Sequence, residues 1–155
     1  MIRAAVAADA AAISACLAEA FEPYRPAYTG GGIADTVVTT DSAARRLQHM
    51  TILVAVNDRG SVIGTIGYQV EAKLGHLRGM AVLQSAQGSG IASRLLAAAE
   101  AALSAHGCTR VTLDTTRPLE RAIAFYERHG YAPTGVIGDF YGMELIEYGK
   151  TLVPA

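Results

Sequence analysis

The spacing of apolar positions changes several times along the chain, and each change marks an element. Residues 2–6 form a short run of strand type. Ile13, Leu17, Ala20 and Phe21 then recur at helical spacing, with Asp9 placed as the cap. Residues 22–38 lose that period. Pro23, Tyr24, Pro26, Tyr28 and the triplet Gly30-Gly31-Gly32 predict a long aromatic connection, a type of loop that is usually functional or disordered. A short helix capped by Asp41 is predicted up to Met50. Residues 51–56 and 61–71 are strands joined by the turn Asn57-Asp58-Arg59-Gly60. In the strand over 75–82, Leu77, Met80 and Val82 slip out of a period of two near Arg78-Gly79, which marks a β-bulge.

Residues 91–104 are helical, with Ile91, Leu95, Ala99, Ala102 and Leu103 on one side, and Gly107 ends the helix. A strand follows over 110–115. Pro118 opens a further helix, with Leu119, Ala122, Ile123 and Tyr126 at i, i+3, i+4 and i+7, and Gly130 closes it. Extended structure returns at Tyr131, and 143–152 is the last strand. Antiparallel hairpins followed by a βαβ-like half predict a mixed α+β domain with helices on both faces of one sheet.

Composition narrows the class. The chain has 155 residues, 51% of them hydrophobic and 17% charged, with a formal net charge of −1. That suits one folded domain over 1–155 and supplies no global field for nucleic acid or an anionic membrane. Cys16 and Cys108 are expected to be reduced, buried thiols, and no leader or spanning segment is evident, so a cytoplasmic address is expected. His49, His76, His106 and His129 show no metal-ligand spacing, and no metal is expected.

The chemistry concentrates in Gln87-Gly88-Ser89-Gly90-Ile91-Ala92, between a strand and a helix. With little side-chain bulk at Gly88, Ser89 and Gly90, backbone N–H groups converge on the start of the helix, where an anion is stabilised. A Walker loop is excluded, because no Gly-Lys-Ser or Gly-Lys-Thr follows. A small dinucleotide-binding domain is a rival, since Ser93 stands where a third glycine belongs and Asp114 ends the next strand. Against it, the turn comes after a hairpin, and too little chain remains for a doubly wound sheet.

The neighbours decide differently. Gln87-x-x-Gly90-x-Ala92 matches the Gln/Arg-x-x-Gly-x-Gly/Ala signature of the GNAT family of N-acetyltransferases. Leu77-Arg78-Gly79-Met80-Ala81-Val82 is similar to that family's splayed fourth strand. The run from Ala122 to Tyr131, AIAFYERHGY, resembles its characteristic helix and turn. The resemblance covers nearly the whole chain. It implies the acyl-CoA N-acyltransferase fold, with a central, mostly antiparallel twisted sheet flanked by helices on both faces.

The resemblance also implies acetyl-CoA as acetyl donor and an amine as acceptor, a small molecule or a peptide, attacking directly. Backbone groups of Met80 and Val82 would hold the pantetheine arm as an added strand. N–H groups of Gln87, Gly88, Ser89, Gly90, Ile91 and Ala92, with Ser93, would hold the pyrophosphate. Tyr126 matches the general acid that protonates the leaving thiolate, its phenol keeping its proton at neutral pH. Glu71 is the first candidate base, His76 the second and Asp114 the third. Tyr24, Tyr28 and Tyr141, with Phe140, are expected to shape the acceptor pocket. Two positions depart from the family pattern: Leu119 replaces a frequent asparagine and Gln87 the commoner arginine. The alternative of another class is a non-catalytic module that senses acetyl-CoA. Monomer and homodimer remain equally open.

Overall fold

The structure is a computed structural model that describes residues 1–153. Its frame is a seven-stranded sheet: β1 (Ile2–Ala4), β2 (Thr51–Val56), β3 (Val62–Glu71), β4 (Leu74–Val82), β5 (Arg110–Thr116), β6 (Ala132–Phe140) and β7 (Met143–Thr151). The spatial order is β1-β2-β3-β4-β5-β7-β6. All neighbours are antiparallel except β4 and β5, which run parallel and are joined through helix α4 (Ile91–Ala105). The predicted mixed α+β architecture is what is found. It is not the parallel, doubly wound sheet that a dinucleotide fold requires.

Helices cover both faces. Alternation in β2 sends Ile52, Val54 and Val56 to one face, against α1 (Ala10–Phe21) and α3 (Thr40–His49). Ala55 points to the other face, where α4 and α5 (Glu120–Arg128) lie. Leu95, Leu96, Ala99 and Leu103 of α4 are almost wholly buried there. Truncating a leucine at such a position costs about 2–5 kcal/mol, because the cavity left behind collapses only in part.

One predicted cap is corrected, and the other keeps its position without a cap bond. Thr39, not Asp41, caps α3, accepting the Ser42 N–H at 3.1 Å. Asp9 precedes α1 but makes no cap bond to it. Its carboxylate accepts the Val6 N–H at 2.7 Å and pairs with Arg3 at 2.8 Å, tying β1 to the turn before α1.

The connection over 22–38 is also more ordered than its glycines and prolines predict. It holds a 3-10 turn, Glu22–Ala27, and a helix, α2 (Gly30–Thr36). Thr29 caps α2 by accepting the Gly32 N–H at 3.1 Å. A methyl group at Gly31 would stand 2.6 Å from the Tyr141 ring, and one at Gly32 would stand 3.2 Å from the Met143 sulfur. Those two glycines permit the close approach of α2 to the β6–β7 hairpin, a tertiary contact that helix propensity does not register.

Candidate active site

Strands β4 and β5 pair only from Leu74/Arg110 to Leu77/Leu113. Past that point they separate, and a cavity of about 780 Å³ opens between and beyond them. The cause is visible in β4. Thr65 pairs with Ala81 and Gly67 with Arg78, so Gly79 and Met80 together face Ile66 alone. This is the bulge that the pattern predicts at Arg78-Gly79, and Gly79 adopts a φ of +66°. A bulge bends its strand and increases the local twist, which aims the Met80–Val82 edge into the gap.

One wall of the cavity is the glycine turn. Gly88 and Gly90 have φ of 81° and 82°, the left-handed region that favours glycine. A methyl group at either would meet no protein atom within 4 Å, so the space over the turn is free for a ligand. Gly90 is the N-cap of α4 and offers no side chain to close its first turn. The N–H groups of that turn therefore face the cavity, together with the positive end of a helix of 15 residues. Gln87, Gly88, Gly90, Ile91, Ala92 and Ser93 all line it. Ser89 does not, since its hydroxyl donates to the Ala86 carbonyl. Ser93 Oγ lies 3.1 Å from His129 Nε2, while His129 Nδ1 lies 2.8 Å from the Phe125 carbonyl. With Nδ1–H donating to that carbonyl, Nε2 accepts from the serine.

Across the gap, the Tyr126 hydroxyl donates to Met80 Sδ at 3.3 Å. The ring is 8% exposed, and burial pushes its phenol above the ordinary value. Leu119 also lines the cavity, so an apolar side chain stands where the family pattern has an amide.

The opposite face of β4 and β5 presents the titratable groups. His76 Nδ1 lies 3.0 Å from Thr112 Oγ1, and His76 Nε2 lies 3.5 Å from Asp114 Oδ2. Burial raises the Asp114 pKa, and the neighbouring imidazole offsets the rise in part. Both side chains line the cavity. Glu71 does not. It is exposed at the β3–β4 turn and pairs with Leu74. Met80 is six residue steps along β4 from Leu74, a span of about 20 Å, so Glu71 is out of reach of a proton at the bulge.

The aromatic segment closes this side. Tyr24 and Tyr28 line the cavity beside Phe21, with the Tyr28 hydroxyl 2.6 Å from Thr116 Oγ1. Tyr141 lies elsewhere: it is 56% exposed and packs over Gly31, while its neighbour Phe140 lines the cavity. Asp35, Arg46 and Arg78 also line it, a grouping that sequence reasoning missed. Asp35 and Arg46 are isolated charges on α2 and α3, and Arg78 lies on the bulged strand, so only the fold brings the three together. Among the described residues no group of acidic, histidine or cysteine side chains is placed to hold a metal.

The profile of the Acetyltransferase (GNAT) family matches residues 17–131. The chain belongs to this family. Solved structures extend the likeness to the whole fold. The PaiA N-acetyltransferase of Thermoplasma acidophilum, in complex with coenzyme A, superposes with a TM-score of 0.81 at 19% identity, over 97% of this chain and 98% of the other. The ribosomal-protein-S18-alanine N-acetyltransferase of Escherichia coli does so with a TM-score of 0.80 at 18% identity, over 100% and 95%. A Bacillus subtilis relative, the uncharacterised protein YdhI, is 31% identical over 86 residues, which is 56% of this chain. The aligned stretch spans about half of that relative's length, 52%. No helix among the described residues is long and apolar enough to cross a membrane.

Proposed function

We propose that residues 1–155 form one N-acetyltransferase domain that moves acetyl from acetyl-CoA to a primary amine by direct attack. One observation carries the reading: the parting of β4 from β5 places the Tyr126 hydroxyl on one wall and the His76–Asp114 pair on another, in a cavity that runs to the glycine turn. The residues present fit the donor. The free edge from Met80 to Val82 offers N–H and C=O groups to the pantetheine amides. The turn from Gln87 to Ser93, less Ser89, offers uncapped N–H groups to the pyrophosphate.

Acetyl-CoA supplies an activated thioester carbonyl. Asp114, coupled to His76, takes the proton of the attacking amine in place of Glu71. Its raised pKa moves it toward the value a base needs near neutral pH. Tyr126 holds a proton for the departing sulfur, and burial keeps that phenol protonated. The Val82 N–H is the candidate donor to the developing oxyanion. Tyr24, Tyr28 and Phe140 bound the acceptor. Two buried free thiols, Cys16 and Cys108, suit a reducing, cytoplasmic compartment.

The test is a thermal-shift titration with acetyl-CoA, CoA, NAD and FAD, followed by thiol release from acetyl-CoA with a panel of amines. A ligand that binds only the folded state raises its stability by mass action. Stabilisation by acetyl-CoA and CoA with amine-dependent thiol release supports the reading. Stabilisation without release by any amine indicates a sensing module, and stabilisation by NAD or FAD instead overturns the cofactor assignment.

A further inference from the structure

On the acceptor side of the cavity two guanidiniums, Arg46 and Arg78, stand beside one paired carboxylate, Asp35. The Asp35 carboxylate is engaged by Arg78, whose Nη2 lies 3.2 and 3.3 Å from its two oxygens. Arg46 has no such partner. Its Nη2 donates to the backbone carbonyl of Asp35 at 2.8 Å, and no carboxylate lies within ion-pair distance of it among the described residues. Most of the N–H donors that a guanidinium carries are thus left over.

The position is specific. Arg46 reaches from α3 across the bulge, with Nη1 3.3 Å from where a side chain on Gly79 would begin, one residue before Met80. Arg46 is half-buried; burial first, and then the neighbouring Arg78 charge, lower its pKa, while the Asp35 carboxylate offsets part of the fall. A partly desolvated cation beside a second cation is costly unless an anion joins them. Asp114, with His76 Nε2 3.5 Å from its Oδ2, also lines this side, at the end that would take an amine proton. Arg78 and His76 are two residues apart in β4, about 7 Å, a separation that one small molecule bracketed by their side chains spans. Phe21, Tyr24 and Tyr28 leave it an apolar wall.

We propose that the acceptor carries a carboxylate beside its amine, as a free α-amino acid does, and that Arg46 and Arg78 hold the carboxylate while the amine faces Asp114. This rests on the acetyl-transfer reading and narrows its acceptor class. In the reaction the amine N–C(acyl) bond forms and the C–S bond breaks. Asp114 takes one amine proton, and Tyr126 gives one to the departing sulfur. A peptide N-terminus, whose first carboxyl group is an amide, leaves Arg46 unpartnered and is disfavoured.

The experiment compares kcat/KM for the twenty common L-amino acids with that for the matching amino-acid amides, in the native chain and in Arg46→Gln and Arg46→Lys. Acetyl-CoA thermal shifts on each variant confirm that it is folded. The expected result is a preference of about tenfold or more for the best acids over their amides, a ratio that falls toward one in Arg46→Gln and is partly restored in Arg46→Lys. Equal rates on acids and amides overturn the proposal, as does an acid-to-amide ratio unmoved by Arg46→Gln. Absence of acetylation across the panel, with stabilisation by acetyl-CoA intact, overturns it too but leaves the donor assignment standing. Loss of that stabilisation in the native chain overturns the reading beneath it instead.

Discussion

The Tyr126 hydroxyl and the Met80 sulfur lie 3.3 Å apart across the gap between α5 and β4. A thioether is a weak acceptor, so the phenol is held in place by a partner that competes little for its proton. Among the described residues the hydroxyl makes no other hydrogen bond, so its removal costs the fold little. Tyr126→Phe is therefore expected to fold with a melting temperature close to the native chain's, and to lose about 10²-fold or more in kcat. Thermal melting and steady-state thiol release on the same preparation check both halves. Normal turnover by the phenylalanine variant would remove Tyr126 from the acid role.

Asp114 sets the expected pH profile. Burial holds its pKa above the usual carboxylate value, and a base works only when deprotonated. The acid limb of kcat/KM should then lie above the ordinary carboxylate range, and Asp114→Asn should abolish most of the activity. The sign for stability is opposite. A raised folded-state pKa stabilises the fold fully below the unfolded value, and that contribution is lost as pH rises through the raised one. Asp114→Asn should therefore melt no lower than the native chain at neutral pH, an outcome calorimetry reads directly.

Asp9 behaves in the reverse sense. The hydrogen bond from Arg3, and after it the Val6 N–H, depresses its pKa. Its stabilisation is present above the ordinary carboxylate value and fades as pH falls through the depressed one. Asp9→Asn is expected to lower the melting temperature at neutral pH and to flatten its decline in acid. A variant with the native acid profile would show that the Arg3–Asp9 pair contributes nothing to it.

Gly90→Ala separates backbone strain from ligand contact. At a φ of 82° an added side chain costs about 1–2 kcal/mol, although no protein atom within 4 Å opposes it. The variant should fold with a modestly reduced melting temperature. Its acetyl-CoA affinity should fall further than strain explains, because the new methyl group enters the space over the turn. Isothermal titration with CoA measures this, and unchanged affinity would place the pyrophosphate elsewhere.

Local signals were enough for most of the frame. The β-branched content of β2, the helical spacing of Leu95, Ala99 and Leu103, and the slip at Arg78-Gly79 each depend on neighbours along the chain. So does the turn from Gln87 to Ala92, whose glycines set backbone geometry wherever they stand. These features predict the sheet, the bulge and the glycine turn that leads into α4.

Contacts between distant segments decided the rest. Nothing around Gly30, Gly31 and Gly32 announces a helix, because the reason lies at Tyr141 and Met143 on another hairpin. Glu71 and Asp114 look alike as strand-end carboxylates. Only strand register shows that the first sits at the hairpin tip and the second at the mouth of the gap. Arg46 reads as a surface charge on α3 until the bulge is placed beneath it. Periodicity reports which face of its own element a side chain takes, while a site is made where faces of several elements meet, and that meeting is set by packing across the whole sheet.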